Sequence, residues 1–230
     1  MRKLASKLRE QVEDAEEALV DVRRDDTTIR DFIIPAQEFA DALVTITSVK
    51  IIIHHEPLRR EVDIVLRKNQ RLLVTGPNGI GKSTLLRTLA EGRELGARIH
   101  PDARIGCYRQ DFSGLPFDET VYHALETVME MPSNEKLRSV ASQFLLTSDL
   151  LRNTVSQLSE GQKGLLCFAR FVLQRPGLLI LDEPTNHINF RHIPVIARAL
   201  EKYEGGLILV SHAPEFVSQI RFDQVLDLGD

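Results

Sequence analysis

The chain has 230 residues, with 29 Lys and Arg against 33 Asp and Glu, 43% apolar and 27% charged. This ordinary globular balance excludes a disordered, collagenous or repeat-only chain, and the length suits one domain with an appendage. A formal net charge of -4 excludes a grip on nucleic acid through bulk positive charge and leaves only local basic strips for such contact.

Cys107 and Cys167 have no ligand spacing around them, so reduced thiols in a cytoplasmic setting are expected rather than a disulfide framework or a zinc site. No apolar run approaches the roughly 20 residues of a membrane helix. The basic start of the chain is followed by no apolar stretch, so neither an export leader nor membrane insertion is expected.

The first element is a helix. Leu4, Leu8, Val12, Ala15, Leu19 and Val22 recur at steps of three and four, the narrow seam of an amphipathic helix whose other faces are charged. Such a rod has no core of its own and reads either as a docking or coupling element or as a solvated leader. Pro35 lies in an extended connector, so residues 1–41 form a charged helix and linker.

Residues 42–230 read as an α/β domain. Strands are expected over 43–53, 62–66 and 71–75, followed by helices alternating with apolar strands, the pattern of a mostly parallel sheet with an antiparallel part at its start. Between 112 and 157, helical spacing at Val121, Leu125 and Val128 and again at Leu137, Val140 and Ala141 predicts a mostly helical insertion.

The strongest chemical signal is Gly76-Pro77-Asn78-Gly79-Ile80-Gly81-Lys82-Ser83-Thr84, a phosphate loop between an apolar strand and a helix. Its glycines let successive N–H groups turn onto a polyphosphate, and the helix N-terminus adds positive potential. Lys82 then neutralises the β and γ phosphates of ATP, and Ser83 ligates Mg2+. Leu178-Leu179-Ile180-Leu181-Asp182-Glu183 is a buried-strand run whose acids are delivered to the ligand crevice. Asp182 suits the magnesium shell, and Glu183 suits the base that orients or deprotonates an attacking water. Ser159 and Gly161 open an apolar-faced helix, a helix start suited to a second anion; an ordinary Ser cap, with Gln162 completing a capping box, explains the same residues.

Taken together, these motifs resemble those of ATP-binding-cassette ATPases. Leu158-Ser159-Glu160-Gly161-Gln162 is similar to the signature motif, Gln110 within Tyr108-Arg109-Gln110-Asp111 to the Q-loop, and His212 after Leu207 to Ser211 to the switch histidine, all in the family's order. Glu183-Pro184-Thr185-Asn186-His187 is similar to the run typical of the ABC-F branch, whose members carry two cassettes and act on ribosomes. Residues 1–40 resemble the end of the charged linker before a second cassette.

The resemblance implies an α/β P-loop fold of cassette type and ATP hydrolysis with Mg2+. It gives Glu183, His212 and Gln110 catalytic places and adds Gln110 to the metal shell. It also implies a facing cassette, on a longer chain or in a homodimer, onto whose nucleotide Ser159, Gly161 and Gln162 close. The ribosome or its RNA is the partner expected through the linker, in a translation or antibiotic-resistance role. A transporter-energising subunit and a nucleotide-gated clamp without turnover are the alternatives.

Four departures from the family pattern stand out. Glu160 replaces the usual first glycine of the signature pair, placing negative charge near an arriving γ phosphate and weakening closure. Asn189 stands where the branch has an aspartate, and Ala213-Pro214 follows His212 in place of a polar pair. The adenine-stacking aromatic is replaced by Ile53, His54 and His55; His54 is the stacking candidate, against a simple strand-end turn. The other histidines, His187 and His192 among them, show no metal spacing, and most are expected at the solvated surface.

Overall fold

The protein is described by a computed structural model covering residues 28–53 and 56–229. The leader helix expected over 4–22 and the candidate His54 lie outside the described residues. The elements are β1 (Val44–Ile53), β2 (Glu56–Leu66), β3 (Arg71–Thr75), α1 (Lys82–Ala90), β4 (Ala97–Ile99), β5 (Ile105–Tyr108), α2 (Val121–Glu126), α3 (Asn134–Gln143), α4 (Glu160–Gln174), β6 (Leu178–Asp182), α5 (Ile193–Glu201), β7 (Gly206–Val210), α6 (Pro214–Val217) and β8 (Gln224–Asp227).

Two sheets carry the fold. A three-stranded antiparallel sheet has the order β2-β1-β4, and a five-stranded parallel sheet has the order β5-β6-β7-β3-β8. The α/β architecture expected from the sequence is therefore present, antiparallel part included. β2 begins at Glu56, six residues before the expected start, because Glu56 to Arg60 pair with β1. These residues lack apolar alternation, and ladder pairing overrides their weak strand preference.

The central strands explain where the core lies. β6 and β7 are buried along their whole length, as expected for parallel strands covered on both faces. Their side chains alternate between two cores. Leu179, Leu181, Leu207 and Leu209 join the core beneath α4 and α5, while Leu178, Ile180, Ile208 and Val210 join the one shared with α1 and the antiparallel sheet. Each fully buried aliphatic side chain contributes about 1.5–3 kcal/mol.

The connector preceding β1 packs onto this body. Ile29, Phe32 and Ile34 are buried in the first core, and Ile33 between them is exposed, the alternation of extended chain. Phe32 meets Phe144 edge-on, with ring centroids 4.7 Å apart, and lies 6.2 Å from Phe168 of α4. Gln37 fastens the far end, its amide donating to the Asp102 carbonyl at 2.9 Å while its side-chain oxygen accepts from the Arg104 N–H at 2.8 Å.

Residues 112–157 contain α2, α3 and short 3-10 turns at Leu150–Arg152 and Val155–Gln157, joined by turns. Ser133 and Thr120 cap α3 and α2 by accepting N–H bonds from Lys136 and His123. The helical segments expected around Val121 and Leu137 are thus short capped helices with turn-rich joints between them.

Candidate functional site

The parallel strands end on one edge, and the loops that follow β3, β5, β6 and β7 there carry residues from the motifs above. After β3 the chain turns through Gly76, Gly79 and Gly81 at φ of 134°, 81° and 110°, a region that only glycine enters without strain. The Gly81 turn starts α1 directly at Lys82. Lys82 is 7% exposed, and its Nζ donates to the carbonyls of Gly76 at 2.7 Å and Pro77 at 3.0 Å. The ammonium is thus folded back over the loop it would share with a phosphate.

β6 delivers the acids. Asp182 and Glu183 are each 7% exposed, and Asp182 Oδ1 and Glu183 Oε1 have no hydrogen-bond partner. Burial raises the pKa of Asp182 above its ordinary value, with the Ser83 hydroxyl and the Lys82 charge pulling the other way. Burial likewise raises that of Glu183, opposed by the His212 backbone and imidazole. Such unpartnered buried oxygens are costly and mark a place built to receive something.

Glu183 adopts a left-handed backbone, φ 49°, which costs a non-glycine residue about 1–2 kcal/mol. Its N–H donates to the Val210 carbonyl at 2.9 Å, and the His212 N–H donates to its Oε2 at 3.2 Å. His212 Nε2 lies 3.7 Å from Oε1, an ion-pair distance when the imidazole is protonated. The end of β7 therefore holds the turn that aims the acid.

Gln110 lies just beyond β5. It lines a cavity of about 460 Å3 with Ser83, Thr84, Asp182 and His187. Arg109 bridges this loop to the end of α1, donating to Glu91 Oε1 at 3.2 Å. The set fits Mg2+, which takes hard oxygens from one or two carboxylates and completes its shell with water and substrate phosphates. Asp182 Oδ1 is such an oxygen, and Ser83 lines the same cavity. Among the described residues no cluster of three or more His, Cys, Asp or Glu could cage a metal by itself.

The signature residues are elsewhere. Ser159, Gly161 and Gln162 line a second cavity of about 960 Å3 that also touches Arg30, Arg138 and Asn189. Ser159 Oγ accepts from the Gln162 N–H at 3.2 Å, and Gln162 Oε1 accepts from the Ser159 N–H at 3.0 Å. Both side chains act as acceptors in a capping box, which fixes the Ser159 hydroxyl at the helix start and leaves its O–H free to donate. The N–H groups of the next residues remain at the open helix end.

Two histidines depart from the expected solvated setting. His192 is 8% exposed, and its Nδ1 accepts from the Ile29 N–H at 3.4 Å. His187 packs against Phe112, with ring centroids 5.3 Å apart, and its Nδ1 lies 3.0 Å from Glu160 Oε2. The free carboxylate expected at Glu160 is thus paired. These partners are distant in sequence, and no local pattern announces them. The apolar positions Ile29, Phe32 and Ile34 were visible but too few to distinguish a packed strap from a linker.

A family model described as ABC transporter matches residues 60–186. The chain is 37% identical over 169 residues to the Probable ATP-binding protein YbiT of Escherichia coli O157:H7, covering 71% of this chain and 32% of that protein. It is 35% identical over 156 residues to ATP-binding cassette sub-family F member 2 of Mus musculus, covering 65% and 25% respectively. It is 39% identical over 150 residues to the Tylosin resistance ATP-binding protein TlrC of Streptomyces fradiae, covering 62% and 26%. The chain thus spans about a third or less of the length of these curated relatives. A solved dimer of the ATP-binding cassette MJ0796, in a post-hydrolysis state with ADP and Pi, matches the fold with a TM-score of 0.60 at 18% identity, over 76% of this chain and 90% of that one.

Proposed function

The chain belongs to the ATP-binding-cassette family and is a cassette of the ABC-F type, and from that premise we propose that it is the C-terminal cassette of a two-cassette, ribosome-associated ATPase with a translation or antibiotic-resistance role. The observation that carries the ATPase reading is the convergence of Lys82, Ser83, Asp182, Glu183 and His212 at one edge of the parallel sheet. The name of the TlrC relative, a tylosin resistance protein, supports the resistance role, and the ABC-F motifs support the ribosomal part.

Each residue has a role that its setting suits. Lys82 exchanges the Gly76 and Pro77 carbonyls for phosphate oxygens. Ser83 and Asp182, with Gln110 alongside, would hold Mg2+, which when bound offsets phosphate charge. Glu183, made more basic by burial, takes the proton of a water aligned on the γ phosphorus. His212 steadies that carboxylate from the next strand and faces the same phosphate. A facing cassette contributes its signature turn to complete the site, and this chain's Ser159 turn serves the neighbour in return.

Calorimetry on the full chain with Mg-ATP tests the core of this reading. Removing the ammonium in Lys82→Ala should weaken binding at least about tenfold, the order of a lost charge-assisted bond. Unchanged affinity would remove Lys82 from the site. Sedimentation of the Glu183→Gln chain with ribosomes and ATP should yield a ribosome-bound fraction that ADP abolishes; its absence would remove the ribosomal part.

A further inference from the structure

The sign of Glu160 is the anomaly of this cassette. It stands on the first turn of α4 between Ser159 and Gly161, where an approaching γ phosphate meets its charge. Glu160 Oε2 lies 3.0 Å from His187 Nδ1, and the two side chains are 69% and 23% exposed. His187 has little freedom of its own. Its ring rests on Phe112, which packs edge-on against Tyr108 at 5.7 Å. Its backbone is close enough to the signature turn that a Cβ on Gly161 would come within 3.2 Å of the His187 carbonyl. One turn further, a Cβ on Gly164 would lie 2.9 Å from the Ile188 side chain.

We propose that His187 is a positioning residue for the composite site: it holds the Glu160 carboxylate against the loop that follows Glu183, so that the open N–H groups of the signature turn can receive the neighbour's γ phosphate. This inference rests on the composite-site reading given above. The Glu160 carboxylate is largely solvated, so the pair adds little to folding. Its effect is felt where a second anion must approach, since an unpaired charge a few ångströms from phosphate opposes it even through solvent screening.

The test uses the full chain carrying Glu183→Gln, with self-association measured by sedimentation at saturating Mg-ATP and without nucleotide. His187→Gln should weaken ATP-dependent association roughly three- to tenfold by removing the imidazole that holds the Glu160 carboxylate. Glu160→Gln should associate at least as tightly as its parent, and the double variant should match Glu160→Gln alone. His187→Lys, which offers the Glu160 carboxylate an N–H donor from the same place, should retain most of the parent's association. A double variant as weak as His187→Gln, or a Lys variant no better than Gln, overturns the proposal, because a purely structural imidazole cannot be rescued by neutralising Glu160. No change in His187→Gln overturns it equally. A parent that never associates with ATP sinks the composite-site reading itself, and the role of His187 with it.

Discussion

The carboxyl edge of the parallel sheet and the signature end of α4 are both anion-facing, yet they are built in opposite ways. At the sheet edge the groups are bare: Asp182 and Glu183 each leave a buried oxygen unpartnered, and Lys82 is met only by loop carbonyls. At the signature end the acceptors are met within the chain, Ser159 Oγ and Gln162 Oε1 by backbone N–H groups and Glu160 by His187. A bare site stores unfavourable energy that a ligand releases, whereas a satisfied site only presents backbone and waits for a partner to bring the charge. The first can be recognised in one chain. The second is intelligible only beside another.

Three experiments separate the two regions. The largest effect is expected at the edge: Glu183→Gln keeps the shape but cannot accept a proton, and single-turnover hydrolysis should fall about 10² to 10⁴-fold while Mg-ATP still binds. Undiminished turnover would move the base elsewhere and leave Glu183 as a strut of its turn.

The next effect belongs to the support behind α4. Phe32 is 8% exposed and wedged against Phe144 and Phe168, so Phe32→Ala should cost about 3 kcal/mol, a fall of roughly 6–12 °C in a thermal scan. A shift under about 2 °C would mean that the strap lies on the domain without stabilising it.

The smallest effect concerns pH. Because the folded-state pKa of Asp182 is raised, the native protein holds this proton to higher pH than the unfolded chain. Stability of the nucleotide-free protein should therefore decline as pH rises from the ordinary carboxylate value of 3.8 through the higher folded value. Asp182→Asn should flatten that decline and gain about 1 kcal/mol at neutral pH, read from denaturant melts. A steeper decline in the variant would show that the carboxylate is already compensated.

The sheet edge was legible because its signals are local. The glycines of 76–81 need positive φ where they stand, and the run from Leu178 to Leu181 is apolar because both faces of β6 are covered. The order of the motifs then gave the cassette fold. What escaped was set by topology. Glu160 and His187 meet only because α4 starts beside the loop after β6, and Glu56 to Arg60 are strand only because β1 offers them a ladder. Ser159 was legible in both its readings, and the structure realises the capping box.

The two-faced character of β6 also limits what insertions and deletions the gene can tolerate. Alternate residues of 178–181 are assigned to different cores, so the strand has a parity as well as a sequence. Deleting one codon there would exchange the two sets of side chains and turn Asp182 to the opposite face of the sheet. A two-codon deletion would restore the faces yet draw the acids back by about 7 Å, two strand steps, out of reach of Ser83. Substitutions in β6 can be absorbed by repacking; a change of length cannot.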